Sequence, residues 1–203
     1  MFGAPTGEYM GLTCFANGSL ARERVRDAYG LDWNGFSRAL RQTAPGNRGA
    51  IMLPWFVPEI TPAVGRPFVR RLNLDVADAA ANVRAVVEGQ MIALARHSTW
   101  MGVEPDTIHV TGGASANRDI LQVMADVFGA TVVSLTTTNA AALGAALRAW
   151  HADALSRGEA PTWDEIVAPF VKADAVVNAR QEFRATYDEL STKYAAAEQA
   201  ALR

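Results

Sequence analysis

The chain has 203 residues, half of them apolar and a fifth charged, with a formal net charge of −2. That length suits one domain able to bury a proper core, and the charge balance gives no electrostatic case for nucleic acid or an anionic membrane as partner. Lys172 and Lys193 are the only lysines, and the arginines are scattered rather than gathered into a patch. No apolar run approaches the ~20 residues a membrane span needs, and Met1 to Glu8 lacks the basic and apolar regions of a signal peptide. A cytoplasmic location follows as the expectation. Cys14 stands alone in an apolar segment, so a disulfide or cysteine-based metal site within one chain is excluded and a buried structural thiol is expected.

Tyr9 to Phe15 reads as a buried strand ended by the turn signal Asn17-Gly18-Ser19. Ser19 can cap a helix running through Leu20, Val25 and Ala28 to a stop at Gly30. Trp33, Phe36, Ala39 and Leu40 recur at helical intervals and predict a second helix over Asp32 to Gln42. Ala44 to Gly49 is a loop, and Ile51 to Phe56 a strand that Pro54 pushes toward an edge. Pro58, Pro62, Gly65 and Pro67 punctuate an irregular connection. The longest helix is expected from Asp75 to about Trp100, and Gly89 within it hints at a closely packed neighbour.

Next come strand Thr107 to Val110, helix Ala116 to Phe128, strand Thr131 to Leu135 and helix Ala140 to Ala152, with Gly129 closing the first helix. This βαβα order predicts a mixed α/β domain with right-handed crossovers and a partly parallel sheet. The small residues of Ala140 to Ala146 permit close helix packing. Pro161 to Glu165 opens a capped helix, and a last amphipathic helix spans Ala179 to Ala201, with Phe183, Tyr187, Leu190 and Tyr194 on one stripe. No linker divides the chain.

The segment Ile108-His109-Val110-Thr111-Gly112-Gly113-Ala114-Ser115-Ala116-Asn117 carries the most chemistry. A β-branched run ends in two glycines, and a helix follows at once. Two glycines let the backbone turn sharply and approach a bound group, while a helix N-terminus favours phosphate. The run is neither a Walker A loop nor a GxGxxG fingerprint, and on spacing alone a plain strand-turn-helix corner explains it as well. His97, His109 and His151 sit in different elements without zinc spacing, and Ser115 lacks a nucleophile-elbow sequence. Asp119 reads as charge complementarity at a helix start.

Thr111 through Phe128 resembles the adenosine-binding segment of the FGGY carbohydrate kinases, of the actin-like ATPase superfamily. Within that family the chain is most similar to the eukaryotic type of xylulokinase, also through Cys14-Phe15-Ala16-Asn17-Gly18-Ser19-Leu20 with Arg22-Glu23, Glu59-Ile60-Thr61-Pro62, Val87-Glu88-Gly89-Gln90, and Thr138-Asn139-Ala140 leading into Gly144-Ala145-Ala146. It departs from the wider family at Val69-Arg70-Arg71 and from bacterial xylulokinases at Val57-Pro58-Glu59-Ile60, which leaves the sugar open, another ketose or polyol included.

The resemblance implies an α/β actin-like ATPase (ribonuclease H-like) fold, a mixed sheet flanked by helices. Residues 1–203 would form the C-terminal nucleotide-binding domain, without the N-terminal domain that holds the sugar. The cofactors implied are ATP and Mg²⁺, with D-xylulose as the whole enzyme's substrate. Gly113 and Ala114 would meet the phosphates through backbone N–H groups, Gly112 enabling the turn. Asn117 would hydrogen-bond near adenine or ribose, and Trp33 would line the pocket. The turn at Gly18-Ser19 is a weaker match near the nucleotide. The family's catalytic base is an Asp in a Gly-Asp-Asn-like context; no Asp in this chain follows a Gly, so no catalytic residue is expected within it. A homo-oligomer, or a nonenzymatic nucleotide-binding or oligomerising module, is the alternative.

Overall fold

A computed structural model describes residues 2–3, 7, 9–137 and 139–203. Thr138, one of the residues carrying the resemblance, and most of the segment read for a signal peptide lie outside the described residues. Strand β1 (Phe2–Gly3) pairs antiparallel with β2 (Tyr9–Met10). The buried strand expected over Tyr9 to Phe15 is therefore a two-residue ladder, with Tyr9 78% and Leu12 57% exposed. Cys14 is likewise exposed, so it is not the buried structural thiol expected.

Helix α1 (Ser19–Ala28) begins at Ser19 itself; Gly18 is the boundary residue, and no side chain caps it, so the capping role expected of Ser19 is not realised. Helix α2 (Trp33–Gln42) follows after Asp32, whose carboxylate accepts from the Gly35 amide at 2.6 Å and so satisfies a first-turn donor. Its Phe36, Ala39 and Leu40 are buried.

Strand β3 (Ile51–Trp55) pairs antiparallel with β4 (Phe68–Leu72), Pro54 lying opposite Val69. Helix α3 (Ala79–Ser98) starts after Asp78, which accepts from the Ala81 amide; this cap places the start four residues after the expected Asp75. Buried almost continuously from Asn82 to Ala93, α3 is the axis of the core, flanked by β3, α2, α4 and α7. A Cβ on Gly89 would stand 2.5 Å from the Met52 carbonyl oxygen, so the glycine is what lets α3 rest on β3.

The second layer is the sheet β5 (Thr107–Val110), β6 (Thr131–Leu135) and β7 (Ala173–Val177), with β6 central, parallel to β5 and antiparallel to β7. Helix α4 (Arg118–Phe128) makes the crossover between β5 and β6 and closes at Gly129, in the left-handed region at φ 66°. Its Leu121 and Ala125 meet Val132 in a small second core. Helix α5 (Ala140–Ser156) is exposed along nearly its whole length, with only Leu147 and Ala154 buried, so the close packing expected of its small residues is not made among the described residues. Helix α6 (Trp163–Val167) opens on a complete capping box between Thr162 and Glu165. Helix α7 (Arg184–Ala201) sends Tyr187, Leu190 and Tyr194 into the main core. Among the described residues, no helix is long and apolar enough to cross a membrane.

Candidate functional site

Three elements converge on a cavity of about 560 Å³. The first turn of α1 supplies Ser19, Arg22 and Glu23. Helix α2 supplies Trp33, Asn34 and Ser37. The turn after β5 and the start of α4 supply Gly113, Ala114, Asn117 and Asp119. Of the five residues predicted for nucleotide contact, Trp33, Gly113, Ala114 and Asn117 line this one space, although Trp33 and Asn117 are 84 positions apart in the chain. Gly112 does not line the cavity but sets the turn behind it, at φ 88° and ψ −179°, a region open essentially to glycine alone.

After Gly112 the backbone makes one tight turn over Gly113–Ala116, closed by the Ser115 amide donating to Gly112 O at 3.0 Å and the Asn117 amide to Ala114 O at 3.1 Å. The amides of Gly113 and Ala114 find no acceptor among the described residues and stand at the cavity wall. A Cβ on Gly113 would meet nothing within 4 Å, so the space beside it belongs to the cavity and not to packing.

Asn117 is the N-cap of α4 rather than a residue of its first turn. Its side-chain oxygen accepts from the amides of Asp119 (3.1 Å) and Ile120 (3.2 Å), and its amide nitrogen donates to Ser37 Oγ at 2.8 Å. The donors of α4 are thereby partly satisfied from within, and the amides left without an acceptor among the described residues come from the cavity-lining turn before the helix. Ser37 lies one helical turn beyond Trp33, so the Ser37–Asn117 bond ties the aromatic wall to the glycine turn. An Arg41–Asp119 ion pair ties the same two helices nearer the surface.

Trp33 is 41% exposed, with its ring edge-to-face against buried Phe36 at 5.4 Å and the Arg26 guanidinium 4.5 Å from its centroid. One contact anchors the indole and the other orients it, leaving area for an apolar or planar ligand. Sequence reasoning singled out neither Ser37 nor Arg22 as a site residue. Their helical spacing from Trp33 (i+4) and Ser19 (i+3) was the available signal.

A smaller neighbouring cavity of about 220 Å³ takes Gly18, Phe15, Trp55, Met91 and Tyr194 into its lining, so the predicted Gly18-Ser19 turn lies between the two spaces. Glu59, at a departure from the bacterial pattern, is buried, and its carboxylate accepts from the amides of Ala16, Asn17 and Ile60 and from the Asn17 side chain at 2.6–3.1 Å. That is an anchor for the segment before α1. His97 donates to or accepts from buried Glu198 at 3.0 Å, a structural contact, and His151 stacks on Trp163 at 4.4 Å. Among the described residues no group of three or more His, Cys, Asp or Glu side chains is arranged to hold a metal ion.

Residues 8–152 match the FGGY family of carbohydrate kinases, C-terminal domain. The chain is 41% identical over 198 residues to xylulose kinase of Mus musculus, a match covering 94% of this chain and 36% of that protein. In fold it is similar to the ligand-bound xylulose kinase of Lactobacillus acidophilus (TM-score 0.79, 22% identity) and to gluconate kinase of the same organism (TM-score 0.78, 22% identity), each over 92% of this chain and 38% of the other. The chain thus spans well under half the length of these relatives, and its fold is the actin-like ATPase type of such kinases. The cavity at the Gly112–Asn117 turn, the α/β architecture built round it and the match over residues 8–152 agree: the chain belongs to the FGGY family of carbohydrate kinases and corresponds to its C-terminal domain.

Proposed function

We propose that residues 1–203 form the nucleotide-side domain of an ATP-dependent sugar kinase whose substrate is D-xylulose. The observation that carries the reading is the convergence of Trp33, the free amides of Gly113 and Ala114, and Asn117 on one 560 Å³ cavity. A cavity with an aromatic wall at one side and unpaired backbone donors at the other suits a ligand that is planar at one end and anionic at the other. Adenine against Trp33 and phosphates at the glycine turn satisfy both. The ketose is inferred from the 41% identity to the mouse xylulose kinase, because the fold alone is matched equally well by a gluconate kinase.

In this reading the sugar and the base that deprotonates its hydroxyl come from a second domain, and this chain contributes position and charge at the nucleotide. Mg²⁺ fits only as a companion of the phosphates. The carboxylates on the cavity wall are Glu23 and Asp119, and Asp119 is engaged by Arg41, so the chain offers no protein cage for the ion. When bound, the ion would neutralise phosphate charge.

Titration calorimetry of the chain with adenosine and ATP tests the nucleotide reading. Binding at millimolar ligand is expected, weakened by Trp33→Ala and lost for ATP in Gly113→Val. No heat with either ligand, or unchanged binding by Trp33→Ala, overturns it. Phosphoryl transfer tests the kinase reading: the chain alone is expected to be inactive, and activity on D-xylulose is expected once it is mixed with a matching N-terminal portion. Activity of the unmixed chain, or a preference for gluconate in the mixture, would contradict the assignment.

A further inference from the structure

Arg22 is a buried cation with no ion pair among the described residues. The residue is 7% exposed, and no described carboxylate pairs with it. Its two hydrogen bonds go to neutral oxygens, Nη1 donating to Gln90 Oε1 at 2.7 Å and Nη2 to Ser19 Oγ at 3.3 Å. The other buried arginine, Arg84, has Glu88 at 3.1 Å, and buried Asp126 has Arg180 at 2.6 Å. An unpaired buried charge is costly and is kept in proteins chiefly where a ligand supplies the counter-charge. Burial pulls the guanidinium below its ordinary value, with Glu23 offsetting part of this.

The place of Arg22 says which ligand group that is. Standing between the 560 Å³ cavity and its smaller neighbour, it lines the former together with Gly113 and Ala114, whose amides find no acceptor among the described residues. No side chain caps α1, so the positive end of that helix is presented at Ser19 in the same space. Glu23 shares the wall, so the amides and the helix end are needed beside the single guanidinium to make the site net attractive to an anion.

We infer that Arg22, backed by the uncapped start of α1 and the amides of Gly113 and Ala114, is the phosphate anchor of this cavity, holding the phosphoryl groups of a nucleotide whose base lies toward Trp33. The inference rests on the nucleotide reading but is tested separately from it. Gln90 holds Arg22 in place from α3, and its own amide donates to the Asn17 and Gly18 carbonyls at 2.6 and 2.8 Å, so the anchor is fixed to the same turn that starts α1.

The experiment titrates wild type, Arg22→Gln and Arg22→Lys with adenosine, ADP and inorganic pyrophosphate, with thermal melts of each protein alone. Wild type is expected to bind ADP at least about tenfold more tightly than adenosine, as charge-assisted phosphate contacts allow. Arg22→Gln should bring that ratio close to one while leaving adenosine affinity unchanged. Arg22→Lys, which keeps the charge without the fork, should recover part of the ratio. Since Gln removes an uncompensated buried charge, Arg22→Gln without ligand should melt no lower than wild type, and pyrophosphate should raise the Tm of wild type, raise that of Arg22→Lys by less, and leave that of Arg22→Gln unmoved. An undiminished ADP-to-adenosine ratio in Arg22→Gln overturns the anchor and leaves the nucleotide reading standing. Pyrophosphate bound through Arg22 without any adenosine binding overturns the nucleotide reading and keeps the anion site. Failure of all three ligands to bind wild type overturns both.

Discussion

Two adjacent glycines at the site do different work, and substitution separates them. Gly112 holds φ at 88°, where any side chain is strained, whereas Gly113 has open space where its Cβ would stand. Gly112→Ala should therefore cost roughly 1–3 kcal/mol of stability, read as a lower Tm or denaturant midpoint. Gly113→Ala should leave the melt almost unchanged and weaken only nucleotide binding. A Gly113 variant that unfolds as readily as the Gly112 variant would show that the turn, and not a ligand, requires the second glycine. Glu88 makes a second residue-scale case. Buried on α3, its Oε1 accepts from the Gly46 amide (2.9 Å), Arg84 (3.1 Å) and the Tyr187 hydroxyl (2.9 Å), while Oε2 has no partner among the described residues. Burial holds its carboxyl above the usual carboxylate range, against the pull of Arg84. A folded pKa above the unfolded one gives stability that is complete below the unfolded value and lost as pH rises through the folded one. Wild type should thus lose stability relative to Glu88→Gln as pH climbs above the ordinary carboxylate range and through the raised value of the buried carboxyl. Glu88→Ala, which strands Arg84 and two donors, should cost about 3–5 kcal/mol. Denaturant midpoints across pH check the sign; a wild type that gains on Glu88→Gln with rising pH would refute the buried-acid account.

At the scale of elements, the seam between α3 and β3 is the tightest contact on which the site depends. Gly89→Ala places a methyl group against the Met52 carbonyl, which belongs to backbone and cannot swing aside, so α3 must lift from β3. The expected cost is about 1–3 kcal/mol, and nucleotide affinity should fall with it, because Gln90 next to it braces Arg22. Full stability in Gly89→Ala, shown by an unchanged melt, would mean that the seam yields freely. That seam was legible in the sequence as a glycine interrupting a long helical period, as were β5, β6 and the boundaries of α2, where periodicity and caps coincide. Strands β4 and β7 were not. Phe68 to Leu72 carries two adjacent arginines and follows a proline-rich stretch, and Ala173 to Val177 is short and mostly exposed, so each owes its strand state to a partner, β3 or β6, that local pattern does not reveal. The reverse error at Tyr9 to Phe15 has the same cause: the sequence is strand-like, but a strand needs a neighbour along its whole length, and only Tyr9–Met10 has one here. The site divided similarly. Trp33 and the glycine turn were readable from local pattern and family likeness, whereas Ser37 and Arg22 acquire their roles only when α1, α2 and the turn meet.

For the whole molecule, the unexplained surface is α5. It is apolar through Ala140 to Leu147 and carries no charge before Arg148, yet Ala142, Ala146 and Trp150, successive at i, i+4 and i+8, are all exposed, Trp150 by 44%. The three-stranded sheet has two open edges, β5 and β7, each paired with β6 on one side and with no described strand on the other. An open edge and a bare apolar helix are features that soluble monomers ordinarily cover. Gly144 has nothing among the described residues within 4 Å of where a Cβ would stand, so the small residues of α5 leave room for a neighbour to approach closely. The purified chain should therefore self-associate, with a weight-average sedimentation coefficient that climbs as concentration rises. Ala142→Glu combined with Ala146→Glu adds two like charges to the stripe without touching the core, and should return the chain to a monomer with an unchanged melt. Addition of the N-terminal domain of a matching FGGY carbohydrate kinase should likewise suppress self-association by competing for the same face. Concentration-independent sedimentation of wild type would sink the idea outright. Persistence of the oligomer in the double glutamate variant would instead move the contact from α5 to an open sheet edge, β5 with exposed Thr107 and His109 or β7 with exposed Val176.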